Sequence, residues 1–281
     1  MENLKTESLI KVKKTTPNKN GKDHHHQIRL NRFLAMAGVG SRRNCDGFIL
    51  EGRVKVNDKP VVRLGMRVDP ETDVVEFDGK IIEPPNERIY ILLNKPLRTV
   101  TTAKDDKKRR TVIDLIGAPR RLFPVGRLDY NTTGALLITN DGDLTYYLIH
   151  PRFQIKKVYR VMLNKVIRPI DLHHFQNGID LDGRKTMRCK ARELRRMGNR
   201  SYLEVELHEG RNRQIRRMFE VLGYHVEQLH RNNFAGMEVN DLNPGEWREL
   251  TSGEVRKLKA LVERNKSEVT NGDSNLTNDK E

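Results

Sequence analysis

The chain has 281 residues, 36% of them apolar, which is enough for the core of one large or two modest domains and excludes a disordered protein. Its 53 Lys and Arg residues outnumber 38 Asp and Glu residues, and the formal net charge of +15 favours a polyanionic partner. Two distant cysteines, Cys45 and Cys189, suggest neither a disulfide framework nor a thiolate metal site, and no apolar run is long enough to span a membrane. We therefore expect a protein of the reducing cytoplasm.

The first 27 residues contain lysine but few large apolar side chains, so they cannot bury enough surface to offset the entropy of ordering. We expect a disordered basic tail over residues 1–27. Its three consecutive histidines, His24 to His26, lack a fixed geometry, which favours a solvated run over a metal site.

Residues 28–83 show the pattern of two short helices followed by a hairpin. A first helix is predicted from apolar residues on one face and a glycine that ends the run, namely Leu30, Phe33, Leu34, Ala37 and Gly38. Ser41 is typical of a residue that caps a second helix, which Gly52 ends. In "RVKVNDKPVV" the alternating valines precede a turn at Asn57 and Asp58, which predicts a hairpin.

The charge of this segment is strongly one-sided. From Arg29 to Arg67 there are nine basic residues and three acidic ones. Arg42 and Arg43 stand at the predicted start of the second helix, where backbone N–H groups also face anions. A basic RNA-binding face is therefore expected, with an ordinary solvated surface as the alternative. The module resembles the alpha-L RNA-binding domain first described in a small-subunit ribosomal protein.

Pro84 and Pro85 predict a linker over residues 84–87, because consecutive prolines interrupt helices and central strands. Residues 88–263 then alternate strand patterns ("RIYILLNKP", "ALLIT", "VYRVML", "SYLEVEL") with helical ones ("LTYYLIH", "RQIRRMFEVLGY"). Their irregular order predicts an α+β domain with a mostly antiparallel or mixed sheet and flanking helices. The polar residues 264–281 predict a second disordered tail.

Asp129 stands out in "GRLDYNTTGALLITNDG", since a carboxylate repels phosphate and has little place on a pure RNA-binding surface. Turn-forming residues around it predict a loop at the end of a buried strand. An active-site role is one interpretation, and a turn cap or an ion pair with an arginine is the other. Asp141, in the separate "NDG" turn, is predicted to be structural.

Two further segments carry candidate site residues. From Ile215 the apolar residues fall on one helix face, so Arg213 and Arg217 are expected on the opposite, solvent-facing side. Arg216 lies at the border of the buried face, where a guanidinium can be partly desolvated and held in a fixed contact. Strand alternation puts Tyr159 on one face with apolar neighbours, which also fits an ordinary core tyrosine.

Three motifs in order resemble the signatures of the pseudouridine synthases that modify ribosomal RNA and carry an N-terminal alpha-L domain. They are "GRLDYNTTGALLITNDG", "KVYRV" and "EGRNRQIRRMFEVLGYHV", and the resemblance extends from about residue 28 to 262. It implies that Asp129 is the essential catalytic residue, that Tyr159 borders the target base and that Arg216 pairs with Asp129. It also favours RNA contacts from four other arginines, Arg127, Arg211, Arg213 and Arg217.

The implied reaction converts uridine to pseudouridine: the bond from ribose to N1 breaks, the uracil rotates, and C5 joins the ribose. An isomerisation needs no redox cofactor or nucleotide, and neither a phosphate-cradling glycine loop nor a Cys/His metal cluster is found in the sequence. The expected partner is ribosomal RNA or a pre-ribosomal particle, with 23S RNA favoured over 16S RNA or transfer RNA. No membrane association is expected, and the protein is expected to be a monomer.

Two other functions stay open on the sequence. One is a non-catalytic RNA-binding or ribosome-assembly factor; the other is a metal-dependent nuclease, for which no convincing second acid lies near Asp129. One departure from the family concerns "NKPLRTVTT", where a glycine is usual near Arg98. Because a side chain adopts positive φ at a cost, this loop is expected to have a different shape or to add an RNA contact.

Overall fold

The computed structural model describes residues 27–103 and 105–275. The chain divides into two compact units, residues 1–84 and 85–281. The division falls between Pro84 and Pro85, inside the segment expected to be a linker. The tail expected over residues 1–27, with its histidines, lies outside the described residues except for Gln27.

The first unit contains the two predicted helices, α1 (Leu30–Met36) and α2 (Arg42–Leu50). The hydroxyl of Ser41 accepts a hydrogen bond from the Asn44 N–H at 3.2 Å, which confirms the predicted cap. Leu30, Phe33 and Leu34 are buried in a core formed with valines of the strands. The helices therefore pack on the small sheets through the face that their spacing predicts.

The predicted hairpin is present in the first unit. Asn57 and Asp58 both have positive φ, 49° and 64°, as a two-residue hairpin turn requires. The strands of this unit are β1 (Ile28–Arg29), β2 (Val54–Val56), β3 (Lys59–Pro60), β4 (Arg67–Val68), β5 (Val75–Phe77) and β6 (Lys80–Ile81). Their pairing order is β3-β2-β5-β6 in one sheet and β1-β4 in another.

The second unit is built on a mixed sheet. Its strands are β7 (Tyr90–Lys95), β8 (Phe123–Pro124), β9 (Thr133–Thr139), β10 (Lys157–Leu163), β13 (Lys190–Met197), β14 (Arg200–Leu207), β15 (Val226–Phe234), β16 (Met237–Glu238) and β17 (Trp247–Glu249). The main strand order is β13-β14-β10-β15-β9-β7-β17, and two short strands are added to it, β8 beside β9 and β16 beside β15. The pairing of β9 with β15 is parallel, and the other pairs are antiparallel. A separate small hairpin pairs β11 (Asp180–Leu181) with β12 (Arg184–Lys185).

Helices cover both faces of this sheet. They are α3 (Val112–Ile116), α4 (Gly142–Ile149), α5 (Pro169–Gln176), α6 (Gln214–Val221) and α7 (Ser252–Asn275), with a 3-10 turn at Pro151–Phe153. Strands β7 and β9 are buried on both faces: Leu92 and Leu137 join one apolar cluster, while Leu93 and Leu136 join another. This double burial explains the unbroken apolar runs of the two strands. The predicted α+β class with a mixed sheet is confirmed.

The expectation of a disordered tail from residue 264 is wrong as far as Asn275, because α7 continues to that residue. Leu258, Val262 and Val269 recur on one face of the helix and pack against the apolar cluster around α4. The amide of Asn265 donates to the Phe153 carbonyl at 2.6 Å. Residues 276–281 lie outside the description. No helix in the described part of the chain is long and apolar enough to cross a membrane.

Candidate active site

A cavity of about 420 Å³ opens in the second unit. That volume falls within the range of about 300–1,000 Å³ found for small-molecule sites. Its wall combines residues from all three quoted motifs: the loop before β9 supplies Asp129, β10 supplies Tyr159, and the segment before α6 supplies Glu209. The fold thus brings together side chains that are 80 residues apart in the sequence.

The backbone around Asp129 is held at every carbonyl from residue 128 to 132. Thr101 Oγ1 donates to the Leu128 carbonyl at 2.7 Å, and Asp129 and Tyr130 carbonyls accept from the N–H groups of Thr132 and Arg98. The side chains of Arg216 and Lys95 donate to the carbonyls of Asn131 and Thr132 at 2.8 and 2.9 Å. The Asp129 carboxylate, in contrast, has no hydrogen-bond or ion-pair partner among the described residues, so a fixed loop presents a free carboxylate to the cavity.

Two buried cations support this loop. Lys95 is fully buried and donates to the carbonyls of Pro96 and Thr132. Burial lowers the pKa of Lys95 to about 8, and the charge of Asp129 opposes that shift. Burial also lowers the pKa of Arg216, with Arg213 adding to this effect and Asp129 opposing it. Both cations therefore interact electrostatically with the carboxylate, while Lys95 Nζ and the two terminal nitrogens of Arg216 donate to backbone carbonyls.

The predicted direct contact between Arg216 and Asp129 is not formed. Arg216 is 7% exposed, so its predicted desolvation is confirmed. Its two terminal nitrogens, however, donate to the carbonyls of Val226 and Asn131, at 2.7 and 2.8 Å, and Nε is buried without a partner. Buried carbonyls need donors, and arginine satisfies them at two places at once. Arg216 thus holds the loop that carries Asp129, with an electrostatic interaction in place of an ion pair.

Tyr159 lies half-buried in the cavity wall, beside two basic residues of the same sheet. It packs against two apolar clusters and is paired across the strands with Arg231. Arg231 is 3% exposed, donates from Nε to the Ala135 carbonyl at 2.7 Å, and lies 4.5 Å from the Phe234 ring centre. Burial lowers the pKa of Lys157 to about 8, with Arg231 also lowering it and Glu209 opposing. Tyr159 accordingly has both a packing role and a place at the cavity.

The close approach of β9 and β15 requires a glycine. Gly134 has φ +109°, and a Cβ atom there would lie 2.2 Å from the Arg231 carbonyl oxygen. No side chain fits at that distance, so Gly134 allows the parallel pair that connects the Asp129 loop to the strand of Arg231.

The segment before α6 forms a closed polar network. Glu209 is buried and accepts from the Met187 N–H, from Gln214 Nε2 and from Arg211 Nε. The two terminal nitrogens of Arg211 donate to the carbonyls of Arg184 and Lys185, at 2.8 and 2.7 Å. The predicted RNA contact of Arg211 is therefore not supported, since its donors already hold the β11–β12 hairpin against the cavity wall.

The other arginines predicted to contact RNA differ in their exposure and in whether their side chains are paired. Arg127 and Arg213 are exposed and line the cavity. Arg217, predicted to face solvent, is half-buried outside the cavity and forms an ion pair with Asp182 at 2.6 Å. In the first unit, Arg42 and Arg43 are exposed at the start of α2, as predicted.

Three further observations bear on the sequence predictions. Asp141 is structural as predicted: it caps α4 by accepting from the Leu144 N–H and also accepts from the Tyr90 hydroxyl. Arg98 adopts φ +55°, so the expectation of a loop reshaped to avoid positive φ is wrong. Within the described residues, no group of three or more His, Cys, Asp or Glu side chains could hold a metal ion.

Sequence reasoning missed Lys95, Lys157 and Arg231 as parts of the site. Lys95 ends the buried strand β7 and Lys157 opens the quoted "KVYRV" motif. A lysine at the end of an apolar, buried strand is a signal that could have identified Lys95. Lys157 opens a strand whose first four residues are half-buried, and it gives a weaker signal. Arg231 lies between polar residues in "HRNNF" and gives no comparable signal.

The basic two-helix unit and the cavity with its free carboxylate are features expected of an enzyme that acts on RNA. The profile of the RNA pseudouridylate synthase family matches residues 89–221, and the S4 domain profile matches residues 28–75. The chain belongs to the RNA pseudouridine synthase family.

Individual relatives agree with this assignment. The chain is 41% identical over 242 residues to ribosomal large subunit pseudouridine synthase B of Bacillus subtilis, covering 85% of this chain and 98% of the relative. It is 35% identical over 244 residues to the dual-specificity RNA pseudouridine synthase RluF of Escherichia coli K12, covering 86% and 82%. A crystal structure of a pseudouridylate synthase matches with a TM-score of 0.60 and 29% identity, covering 82% of this chain and 99% of that one. The predicted family and domain types are confirmed.

Proposed function

We propose that this enzyme converts a uridine of ribosomal RNA, in the large subunit, to pseudouridine, with Asp129 as its catalytic carboxylate. The observation that carries the proposal is the contrast at the Asp129 loop, where every backbone carbonyl has a donor and the carboxylate has none. A preorganised loop with a free anion is what a nucleophile or base requires. The Bacillus relative's name supports the large subunit as the source of the RNA.

The cavity suits the chemistry of a nucleoside. The bond from N1 to C1′ breaks, a bond from C5 to C1′ forms, and the proton of C5 is exchanged for one on N1, so substrate and product are isomers. The Asp129 carboxylate acts either by attacking C1′ or by removing the proton of C2′. Lys95 and Arg216 place two positive charges near this carboxylate. Tyr159, in the wall beside it, borders the base.

The enclosed position of Asp129 requires the target uridine to leave its stack in folded RNA, at a cost of a few kcal/mol. The exposed arginines Arg127 and Arg213 at the cavity, and Arg42 and Arg43 in the first unit, offset this cost by contacting phosphates. We infer that the enzyme works as a monomer in the cytoplasm on ribosomal RNA or a pre-ribosomal particle.

The test is an Asp129→Asn variant assayed on transcribed large-subunit ribosomal RNA. Nucleoside mass spectrometry after digestion measures pseudouridine, and we expect none above background, while RNA affinity by filter binding stays near that of the wild type. Asp106→Asn is the matched control, because this exposed carboxylate undergoes the same change of charge. An Asp129→Asn enzyme that forms pseudouridine at the wild-type rate would refute the assignment.

The substrate is tested separately. Pseudouridine maps of ribosomal RNA from cells with and without the gene should differ at a position in the large-subunit RNA. A difference confined to small-subunit RNA or transfer RNA would show that another RNA is the substrate, and it would leave the proposed role of Asp129 unchanged.

A further inference from the structure

The loop that presents Asp129 continues directly into an exposed aromatic ring. Tyr130 is 42% exposed and is not part of the cavity wall. Its carbonyl accepts from the Arg98 N–H at 2.9 Å, so the backbone that carries the ring is held as firmly as that of Asp129. The backbone that carries the ring is therefore fixed beside the cavity.

Basic residues adjoin Tyr130. Arg98 is exposed on the turn that bonds to the Tyr130 carbonyl, and Leu97, next to it, is also exposed. The exposed guanidinium of Arg109 is bonded to Asp105 and also interacts electrostatically with Tyr130. We call the surface formed by Leu97, Arg98, Arg109 and Tyr130 the Tyr130 ledge.

Arg98 supplies an independent reason to look for a ligand here. Its φ of +55° lies in the left-handed region that favours glycine, so a side chain at this position costs conformational free energy. Among the described residues, its guanidinium has no hydrogen-bond or ion-pair partner that would offset this cost. Strained backbone beside an active site is a reason to seek a functional contact.

We propose that the Tyr130 ledge binds the RNA strand next to the target nucleotide. The Tyr130 ring stacks on an unpaired base that adjoins the nucleotide in the cavity, and Arg98 contacts a phosphate of the same strand. Removal of a nucleotide from a stack exposes the face of its neighbour, and an aromatic side chain with adjacent cations binds such a face without reading its sequence. This inference rests on the proposed function, because it takes the nucleotide in the cavity to be the substrate uridine.

Fluorescence can test the stacking directly, because the chain contains a single tryptophan, Trp247. In a Trp247→Phe, Asp129→Asn background we compare Tyr130→Trp with Tyr146→Trp, whose parent side chain on α4 is 48% exposed and also lies outside the cavity wall. The probes are octauridylate and transcribed large-subunit ribosomal RNA. Quenching at position 130 and not at 146 is expected. Unchanged emission at position 130, while a fluorescent label on the RNA reports binding, would overturn the proposal.

Kinetics separate the ring from its hydroxyl. Tyr130→Phe should keep the KM of the wild type, and Tyr130→Leu should raise KM about tenfold through loss of one stacking contact. Tyr146→Leu is the matched control and should change neither KM nor kcat. An equal loss in the Phe and Leu variants would show that stacking is not what the residue contributes.

Arg98→Gly separates RNA contact from folding. Because glycine relieves the positive φ, the melting temperature should stay the same or rise, while RNA affinity falls and its log-log salt slope becomes shallower by about 0.7–0.9. Arg256→Ala, which removes an exposed charge from α7, should leave both quantities unchanged. Unaltered binding by Arg98→Gly, or an equal loss in Arg256→Ala, would contradict a specific phosphate contact.

Failure of this inference is distinguishable from failure of the proposed function. If the wild-type enzyme forms no pseudouridine in ribosomal RNA but tryptophan at position 130 is quenched, the proposed function falls and RNA binding at the ledge stands. If pseudouridine forms but the tryptophan signal and the Tyr130→Leu kinetics do not change, the ledge falls and the proposed function stands.

Discussion

Arginines that support the active site and arginines on the first unit differ in whether their side chains have partners. Arg211, Arg216 and Arg231 donate to backbone carbonyls, and two of the three are buried. Arg42 and Arg43 are exposed at the start of α2. The same type of side chain thus fixes the architecture of the site in one place and is exposed in the other, where we expect it to contact RNA. The number of arginines near a nucleic-acid site therefore overstates the number of phosphate contacts, because some of these arginines donate their hydrogen bonds to buried backbone carbonyls.

The largest effect that would sharpen this contrast is expected from Arg216→Met. The substitution leaves the carbonyls of Val226 and Asn131 without donors, which should reduce the free energy of unfolding by about 2–4 kcal/mol. Because the Asn131 carbonyl belongs to the Asp129 loop, the single-turnover rate of pseudouridine formation should fall at least about 100-fold. Urea denaturation and quenched-flow nucleoside analysis measure the two effects.

Arg217→Met is the control for that experiment, since the neighbouring arginine is paired with Asp182 near the surface. An exposed ion pair contributes about 0–1 kcal/mol, so both readouts should change little. A stable Arg216→Met enzyme of normal rate would show that the loop is held without this arginine.

Arg211→Ala and Arg213→Ala, two residues apart, should have opposite signatures. Loss of Arg211 leaves two carbonyls and Glu209 with fewer donors and should cost about 1–3 kcal/mol of stability. Loss of the exposed Arg213 should leave stability unchanged, weaken RNA binding and reduce the salt slope by about 0.7–0.9. Thermal melts and filter binding over a salt series provide the comparison. If both variants weaken RNA binding equally and leave stability unchanged, Arg211 does not have the structural role that distinguishes it here from Arg213.

Local patterns were sufficient for much of the fold. The Ser41 cap, the turn at Asn57 and Asp58, and the apolar runs of β7 and β9 depend on neighbouring residues, and each is found where the sequence predicts it. The tail prediction failed from residue 264 because it weighed polar composition over the spacing of Leu258, Val262 and Val269, which continues a helix. Periodicity was the stronger signal there.

The site was less accessible to sequence reasoning. Helical spacing correctly placed Arg216 at the buried border, but its acceptors at Asn131 and Val226 lie 85 and 10 residues away in the chain. Which carbonyls lack donors is known only once the β9 and β15 strands have paired. The same holds for Arg211, whose partners come from the β11–β12 hairpin. Burial could be predicted from periodicity, whereas the choice of hydrogen-bond partner required the tertiary structure.

The smallest effect is expected for Lys157, which donates to a backbone carbonyl and also lines the cavity. Its pKa is lowered to about 8, mainly by burial, so the cavity wall loses one positive charge as the pH rises through that value. The KM for RNA should therefore rise several-fold between pH 7 and pH 9. Lys157→Arg keeps its charge over this range, and its KM should stay flat. The assay compares the initial rates of the two enzymes on the same RNA at each pH.

Unfolding linked to Lys157 cannot produce that rise in KM. The pKa of this lysine is lower in the folded chain than its ordinary value of about 10.4 in an unfolded one, so the unfolded chain binds more protons between these two values. The contribution of Lys157 to stability consequently increases with pH in the window where the affinity is expected to decrease. If KM rises equally at alkaline pH in Lys157→Arg, the titrating group is not Lys157. The role of Lys157 would then be structural, through the hydrogen bond that it donates to the Ile155 carbonyl at 2.8 Å.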